Sequence, residues 1–159
     1  MRTSTRLIAL TCAAVIGLSA APAHAAVGKT PEQAQTSARH PELSGKRLRA
    51  PGSDSVYVID QNGYRRGIPD ADTFDSLFRD WQSVEENDIV DEISSRPDLS
   101  RNAFLGREPG TDGVYLFTDK GRYGVASAAT MDKYGFDWDK VHDTPDFVFK
   151  YVQELGTWR

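Results

Sequence analysis

The chain has 159 residues, 39% of them hydrophobic and 26% charged, with a net charge of −4. That is one domain's worth of chain, long enough to bury a core without staples. The acidic balance speaks against a nucleic-acid partner, and the single cysteine, Cys12, excludes an intrachain disulfide.

Residues 1–25 read as a secretory signal peptide. Arg2 and Arg6 form a positive start, an apolar run from Leu7 follows, and Ala23-His24-Ala25 is a small-residue cleavage site. The expected mature protein therefore begins at Ala26, is exported and lacks cysteine, and nothing in it suggests a membrane partner. Two of the 19 Lys and Arg residues leave with the signal, so 17 basic residues face 23 acidic ones, a net of −6.

That charge is uneven. Residues 26–50 carry a net of +3 and residues 51–159 a net of −9. The first stretch has no aromatic residue and is rich in Gln, Ser, Thr, Pro and Ala, so it reads as a flexible basic tail. Its candidate partner-binding residues are Leu43, Lys46, Arg47, Leu48 and Arg49, which suit an extended segment lying in an acidic groove.

Pro51-Gly52 opens the folded body. Val56-Tyr57-Val58-Ile59 is β-branched and aromatic, Asn62-Gly63 suits a tight turn, Tyr64 to Ile68 returns, and Pro69 ends the hairpin. Both faces of the outgoing strand are apolar, which predicts cover on both sides. Asp70 then caps a helix with Phe74, Leu77, Phe78 and Trp81 on one stripe, and Asn87 caps a second helix through Ile89, Val90 and Ile93.

The pattern recurs. Val114-Tyr115-Leu116-Phe117 goes out, Asp119-Lys120-Gly121 turns, and Arg122 to Val125 comes back. Ser127 stands where Asp70 stands, Thr130 matches Thr73, Trp138 matches Trp81 and Val141 matches Val84. Gly135 ends the third predicted helix, and Thr144 caps a fourth carrying Phe147, Val148, Tyr151, Val152 and Leu155. The expected fold is α+β: two tandem ββαα units, residues 51–107 and 108–159, packed as one pseudo-symmetric domain. Its shared core is expected to hold Phe74, Leu77, Trp81, Met131, Trp138 and Phe147.

No catalytic, metal or cofactor site is legible. His40 falls in the tail and His142 in a turn, far from a nucleophile–base pattern. Asp60-Gln61-Asn62-Gly63 resembles the start of a calcium loop but lacks the closing glutamate, and a hairpin turn accounts for it. Soft ligands for zinc are nearly absent. Candidate surface contacts are Tyr64, Arg65, Arg66, Tyr123 and Trp158, with Arg65-Arg66 as a charged strand edge.

The run VYVIDQNGYRRGIPDADTF resembles a module of secreted bacterial proteins: a V-Y-x-I strand, a Gly turn, an R-x-I-P return and a T-F helix start. The second copy departs from it, with Tyr123-Gly124 and Val125-Ala126 in the return strand. In size, export and two-unit layout the chain is similar to the adaptor subunit of the umbrella toxin particles exported by Streptomyces. That resemblance implies a non-enzymatic adaptor joining a lectin-bearing, trypsin-like subunit to a large toxin, with its N-terminal extension in a cleft of the former. The alternatives are a cell-wall or carbohydrate-binding module and an inhibitor of an extracellular protease.

Overall fold

The structure is a computed structural model and describes residues 38–159. The expected signal peptide with Cys12, and residues 26–37 of the expected tail, lie outside the described residues.

The fold is mixed α+β and begins earlier than the sequence reading placed it. Pro41–Leu43 forms a 3-10 turn, and β1 (Arg47–Arg49) is an interior strand. The hairpin follows as β2 (Val56–Ile59) and β3 (Arg65–Ile68), then α1 (Ala71–Leu77) and β4 (Val84–Glu86). These strands make a four-stranded sheet in the order β3-β2-β1-β4. The second sheet uses β5 (Phe104–Arg107), the hairpin β6 (Val114–Thr118) and β7 (Gly121–Val125), α2 (Ala128–Tyr134), β8 (Val141–Asp143), α3 (Asp146–Tyr151) and β9 (Glu154–Trp158). Its order is β8-β5-β6-β7-β9.

The connections repeat. β1 is antiparallel to β2 and parallel to β4, and β5 is antiparallel to β6 and parallel to β8. Equivalent ion pairs close the two parallel ladders, Arg49 to Glu86 at 2.8 Å and Arg107 to Asp143 at 2.7 Å. Equivalent amides follow: Asn87 donates to the Arg49 carbonyl and Thr144 to that of Arg107.

The repeated pattern thus differs from ββαα. A strand precedes each hairpin and another follows each first helix. The boundary expected between residues 107 and 108 falls after β5, which belongs to the second sheet. The second helix of the first half is a 3-10 segment, Asp88–Glu92, capped as expected by Asn87. Its counterpart α3 stops at Tyr151, and the predicted helical residue Leu155 lies in β9. Thr144 does not cap α3; its hydroxyl donates to the His142 carbonyl.

The expected tail is folded throughout its described part. Lys46 pairs with Glu85 at 2.5 Å, and Leu48 is fully buried in a cluster with Ile59, Val90 and Ile93. Arg47 is 9% exposed. Its guanidinium donates to the carbonyl of Tyr134 at the end of α2, to Gly45 O at 3.3 Å and to Ser83 Oγ at 3.2 Å, and lies 5.7 Å from the Phe78 ring. A cation at a helix C-terminus is favourable, so Arg47 ties the first strand of the first half to the last helical turn of α2. Burial pulls its pKa down, against the opposing pull of Asp80 and Glu85. Two Arg residues around one Leu carry no helical or alternating signal, and their acceptors are distant in sequence, so composition alone reads them as solvated.

The main core lies between the halves. Val56, Val58, Phe74, Leu77 and Phe78 pack with Leu116, Met131, Tyr134, Phe136 and Trp158 in one buried cluster. Phe78 and Phe136 form an antiparallel bridge between the segments that leave α1 and α2. The apolar outer faces are covered as expected. Ile59 and Tyr57 meet the Val90–Ile93 cluster, while Phe104 stacks on Phe117 at 4.8 Å and Phe149 meets Phe117 edge-on at 5.5 Å. Three expected core residues are instead exposed: Trp81 43%, Trp138 45% and Phe147 62%.

Candidate functional site

At the hairpin tip the first carboxylate of the calcium-like run is engaged within the protein. Asp60 is 1% exposed. One carboxylate oxygen accepts from the amides of Asn62 and Tyr64, and the other from Arg66 Nε at 3.2 Å. Gly63, at φ +80°, lies against the His40 and Pro41 backbone, where a Cβ would collide. Among the described residues no group of three or more His, Cys, Asp or Glu is arranged to hold a metal ion. His40 pairs with Glu42 at 2.8 Å, and His142 sits exposed in β8. No helix among the described residues is long and apolar enough to cross a membrane.

The expected surface residues divide. Trp158 is 1% exposed and packs on Tyr134 at 4.7 Å. Arg66 is 8% exposed, held by Asp60 and the Pro97 carbonyl, with Tyr123 5.7 Å away. Neither serves as a free contact. Arg65 donates to the Val90 carbonyl at 2.7 Å and to Asp91 at 2.8 Å, so it is tied to the cover of the first sheet. Tyr64 is half-buried beneath Arg96, whose guanidinium lies 4.3 Å from the ring centre. Of the tail residues, Leu43 packs against the Leu48 cluster, and Lys46, Arg47, Leu48 and Arg49 belong to the first sheet or its ion pairs. None of the five forms part of an extended tail.

What remains at the surface is aromatic: the expected core residues Trp81, Trp138 and Phe147, together with Tyr151. Trp81 stacks on Phe74 at 3.8 Å and donates its indole N–H to Asp75 at 2.7 Å, leaving its other face open. It borders a shallow groove of about 270 Å³ with Asp54, Val56, Pro69 and Asp70. Trp138, its repeat partner, is open to a similar degree. Phe147 and Tyr151, the latter 86% exposed, stand one turn apart on α3. The signal that could have found the two tryptophans is their flanks: Asp80 precedes one, and Asp137 and Asp139 enclose the other.

A second cleft of about 200 Å³ lies where the β6–β7 turn meets the segment joining the halves. Arg66, Arg96 and Lys120 face Asp98 and Asp119 there. Its carboxylates are engaged: Asp98 accepts from the Gly67 amide at 2.8 Å, and Asp119 accepts from the Ser100 hydroxyl.

Elsewhere Thr73, whose amide donates to Asp70 at 2.8 Å, holds the Asp70 carboxyl below the usual aspartate range, with Arg101 assisting. Burial raises the Tyr134 phenol, although Ser44 bonds its oxygen at 3.1 Å. The described residues offer apolar and aromatic contact surface on both halves. No protein-family model, no curated protein and no solved structure matches this chain.

Proposed function

We propose that the protein is a secreted, non-catalytic adaptor. In this reading two copies of one β-β-β-α-β unit form a pseudo-symmetric domain that joins two other secreted proteins. The observation that carries it is the matched pair Trp81 and Trp138, half-exposed at equivalent places in the two halves. Half-open indoles on a well-packed body are the kind of anchor that interfaces use. The resemblance to the umbrella-particle adaptor suggests the partners: a lectin-bearing, trypsin-like subunit and a large toxin. Insertion of an N-terminal tail through residues 43–49 has no support, since those residues build the first sheet; residues 26–37 are left for that role.

The test is capture from culture supernatant on the immobilised mature chain. Two distinct large proteins are expected, with Trp81→Ser depleting one and Trp138→Ser the other. Capture of a single protease would replace the adaptor with an inhibitor. A second reading, a carbohydrate-binding module, is favoured by the groove that sets Trp81 beside Asp54 and Asp70. Co-sedimentation with purified cell wall, lost on Trp81→Ser, with no soluble partner captured, would establish that reading instead.

A further inference from the structure

The two halves treat one equivalent edge differently. In the first half, residues 94–98 run beside β3. The Arg65 amide donates to the Ser94 carbonyl, and the Arg65 side chain donates to the Val90 carbonyl and lies 4.8 Å from the Tyr57 ring. In the second half, β9 runs beside β7 with the same fittings. The Arg122 amide donates to the Gln153 carbonyl, and the Arg122 side chain donates to the Phe149 carbonyl and lies 5.3 Å from the Tyr115 ring. Ser94 and Gln153 therefore occupy corresponding places, as do Glu92 and Tyr151.

Beyond that edge the halves part. In the first half a further piece of chain is paired on the outside. Ala38 bridges Ile93 in parallel, its amide donating to the Glu92 carbonyl at 3.0 Å and its carbonyl accepting from the Ser94 amide at 2.8 Å. In the second half the corresponding groups, the Tyr151 carbonyl and the Gln153 amide, have no backbone partner among the described residues. The flanking side chains differ in the same sense. The filled edge is flanked by acidic Asp88 and Glu92, whereas the open one is flanked by exposed Phe147 and Tyr151. Further along β9 the outward Thr157 carbonyl is already taken by Gln61 at 3.2 Å, so the open stretch is short and defined.

We propose that the Tyr151–Gln153 edge accepts an extended segment of another protein chain, paired in parallel as Ala38 is at the first edge. Extended backbone with unpaired groups, such as runs from the end of α3 through Val152 into β9, is a ready template for this pairing, with backbone bonds giving affinity and flanking side chains giving selectivity. The occupant has a small residue at the pairing position, an apolar residue against Phe147 and Tyr151, and a basic residue beside them. The basic preference follows from the net −9 of residues 51–159; at the edge itself Lys150 balances Asp146, and Glu154 lies 3.8 Å from Arg122. This inference rests on the adaptor reading and names one of its contact surfaces.

The probe is a synthetic peptide of residues 33–43 of this chain, which carries the Ala38-Arg39 run that fits the first edge. It is titrated into the labelled mature protein and followed by amide shifts and hydrogen exchange. The Gln153 amide is expected to shift and to exchange more slowly, and a peptide N-methylated at Ala38 to bind about tenfold more weakly, the equivalent of one lost hydrogen bond. Phe147→Ser with Tyr151→Ser, both at exposed positions, should weaken binding without lowering Tm. A Gln153 amide unmoved by the peptide, or equal binding of the N-methyl form, overturns the proposal. So does a Gln153 amide already protected in the free protein: in a monomer the chain's own N-terminal residues fill the edge, and in a dimer a second copy does. Gln153→Pro removes the donor yet keeps the carbonyl that Arg122 uses. If it folds and still captures every supernatant partner, the edge is sunk while the adaptor stands; if the unaltered protein captures nothing, the adaptor falls whatever the peptide does.

Discussion

Arg47 is the sharpest point at which the fold can be tested. Replacing it with Ala leaves the Tyr134 and Gly45 carbonyls and the Ser83 hydroxyl without their donor, in a place where Arg47 itself is only 9% exposed. A hydrogen bond to a charged group contributes about 1.5–3 kcal/mol, and the Gly45 bond is long, so the loss should total about 3–5 kcal/mol. For a domain of this size that corresponds to a fall in Tm of roughly 10–20 °C. Urea unfolding followed by tryptophan fluorescence should show a lower midpoint with an unchanged slope. Arg47→Met keeps most of the stem without the donors and so separates packing from hydrogen bonding. Arg49→Ala, which breaks a pair whose Arg side chain is 43% exposed, is the control and should cost about 0–1 kcal/mol. If Arg47→Ala and Arg49→Ala fall within about 1 kcal/mol of each other, Arg47 is not the tie between β1 and α2, and the reasoning from buried donors fails.

Other substitutions separate further parts of the structure. Asp60→Ala strands the Arg66 charge in a buried site and should destabilise by about 3–5 kcal/mol by denaturant unfolding. Trp81→Ala should cost only about 1–2 kcal/mol, because the ring is 43% open, whereas a fully buried ring would cost about 3–5. The Tyr134 pKa is raised in the folded state, so the folded protein holds that proton more tightly than the unfolded chain. This stabilisation is fully present below the ordinary tyrosine range and is lost as pH rises above it; phenolate absorbance should show one late-titrating tyrosine, abolished in Tyr134→Phe. Asp70 has the opposite sign: its lowered pKa contributes stability above the ordinary aspartate range that is lost as pH falls through its folded value, and Asp70→Ala should flatten that acid limb.

The hairpins were legible because their signals are local. Val56–Ile59 and Val114–Thr118 are β-branched and aromatic, and Asn62-Gly63 marks its turn within four residues. The caps Asp70, Asn87, Ser127 and Gly135 were legible for the same reason, each serving an amide or carbonyl nearby in the chain. β1 and β5 were not, since a short interior strand is fixed by its neighbours: Arg47 faces Val58 on one side and Val84 on the other. The last predicted helix ran too far because Phe147, Val148, Tyr151, Val152 and Leu155 keep a helical spacing past the true end. The chain turns extended after Tyr151, where β7 supplies backbone partners for β9. Of the candidate site, Tyr64, Arg65, Arg66 and Tyr123 were found as polar or aromatic residues in a strand and turn. Their engagement with one another and with distant carbonyls is tertiary information. The exposed tryptophans were missed because a stripe that points to the core over α1 is left behind once the helix ends at Leu77.

The buried Trp158 bears on how the chain reaches this state. Its ring meets Tyr123, Tyr134 and Phe136 in the central cluster. At the other end, β1 is inserted between β2 and β4 and waits on the end of α2 for its Arg47 acceptor. The first half therefore cannot complete its interior without the second. The early hairpin forms locally, but closure depends on contacts far apart in sequence, which slows folding. Tyr134 and Phe136 stay open until Trp158 joins them, and a partly folded state with open apolar surface is prone to aggregate. Trp158→Ala would open a gap in the core that both halves share, so that position bears on folding rather than on the surface.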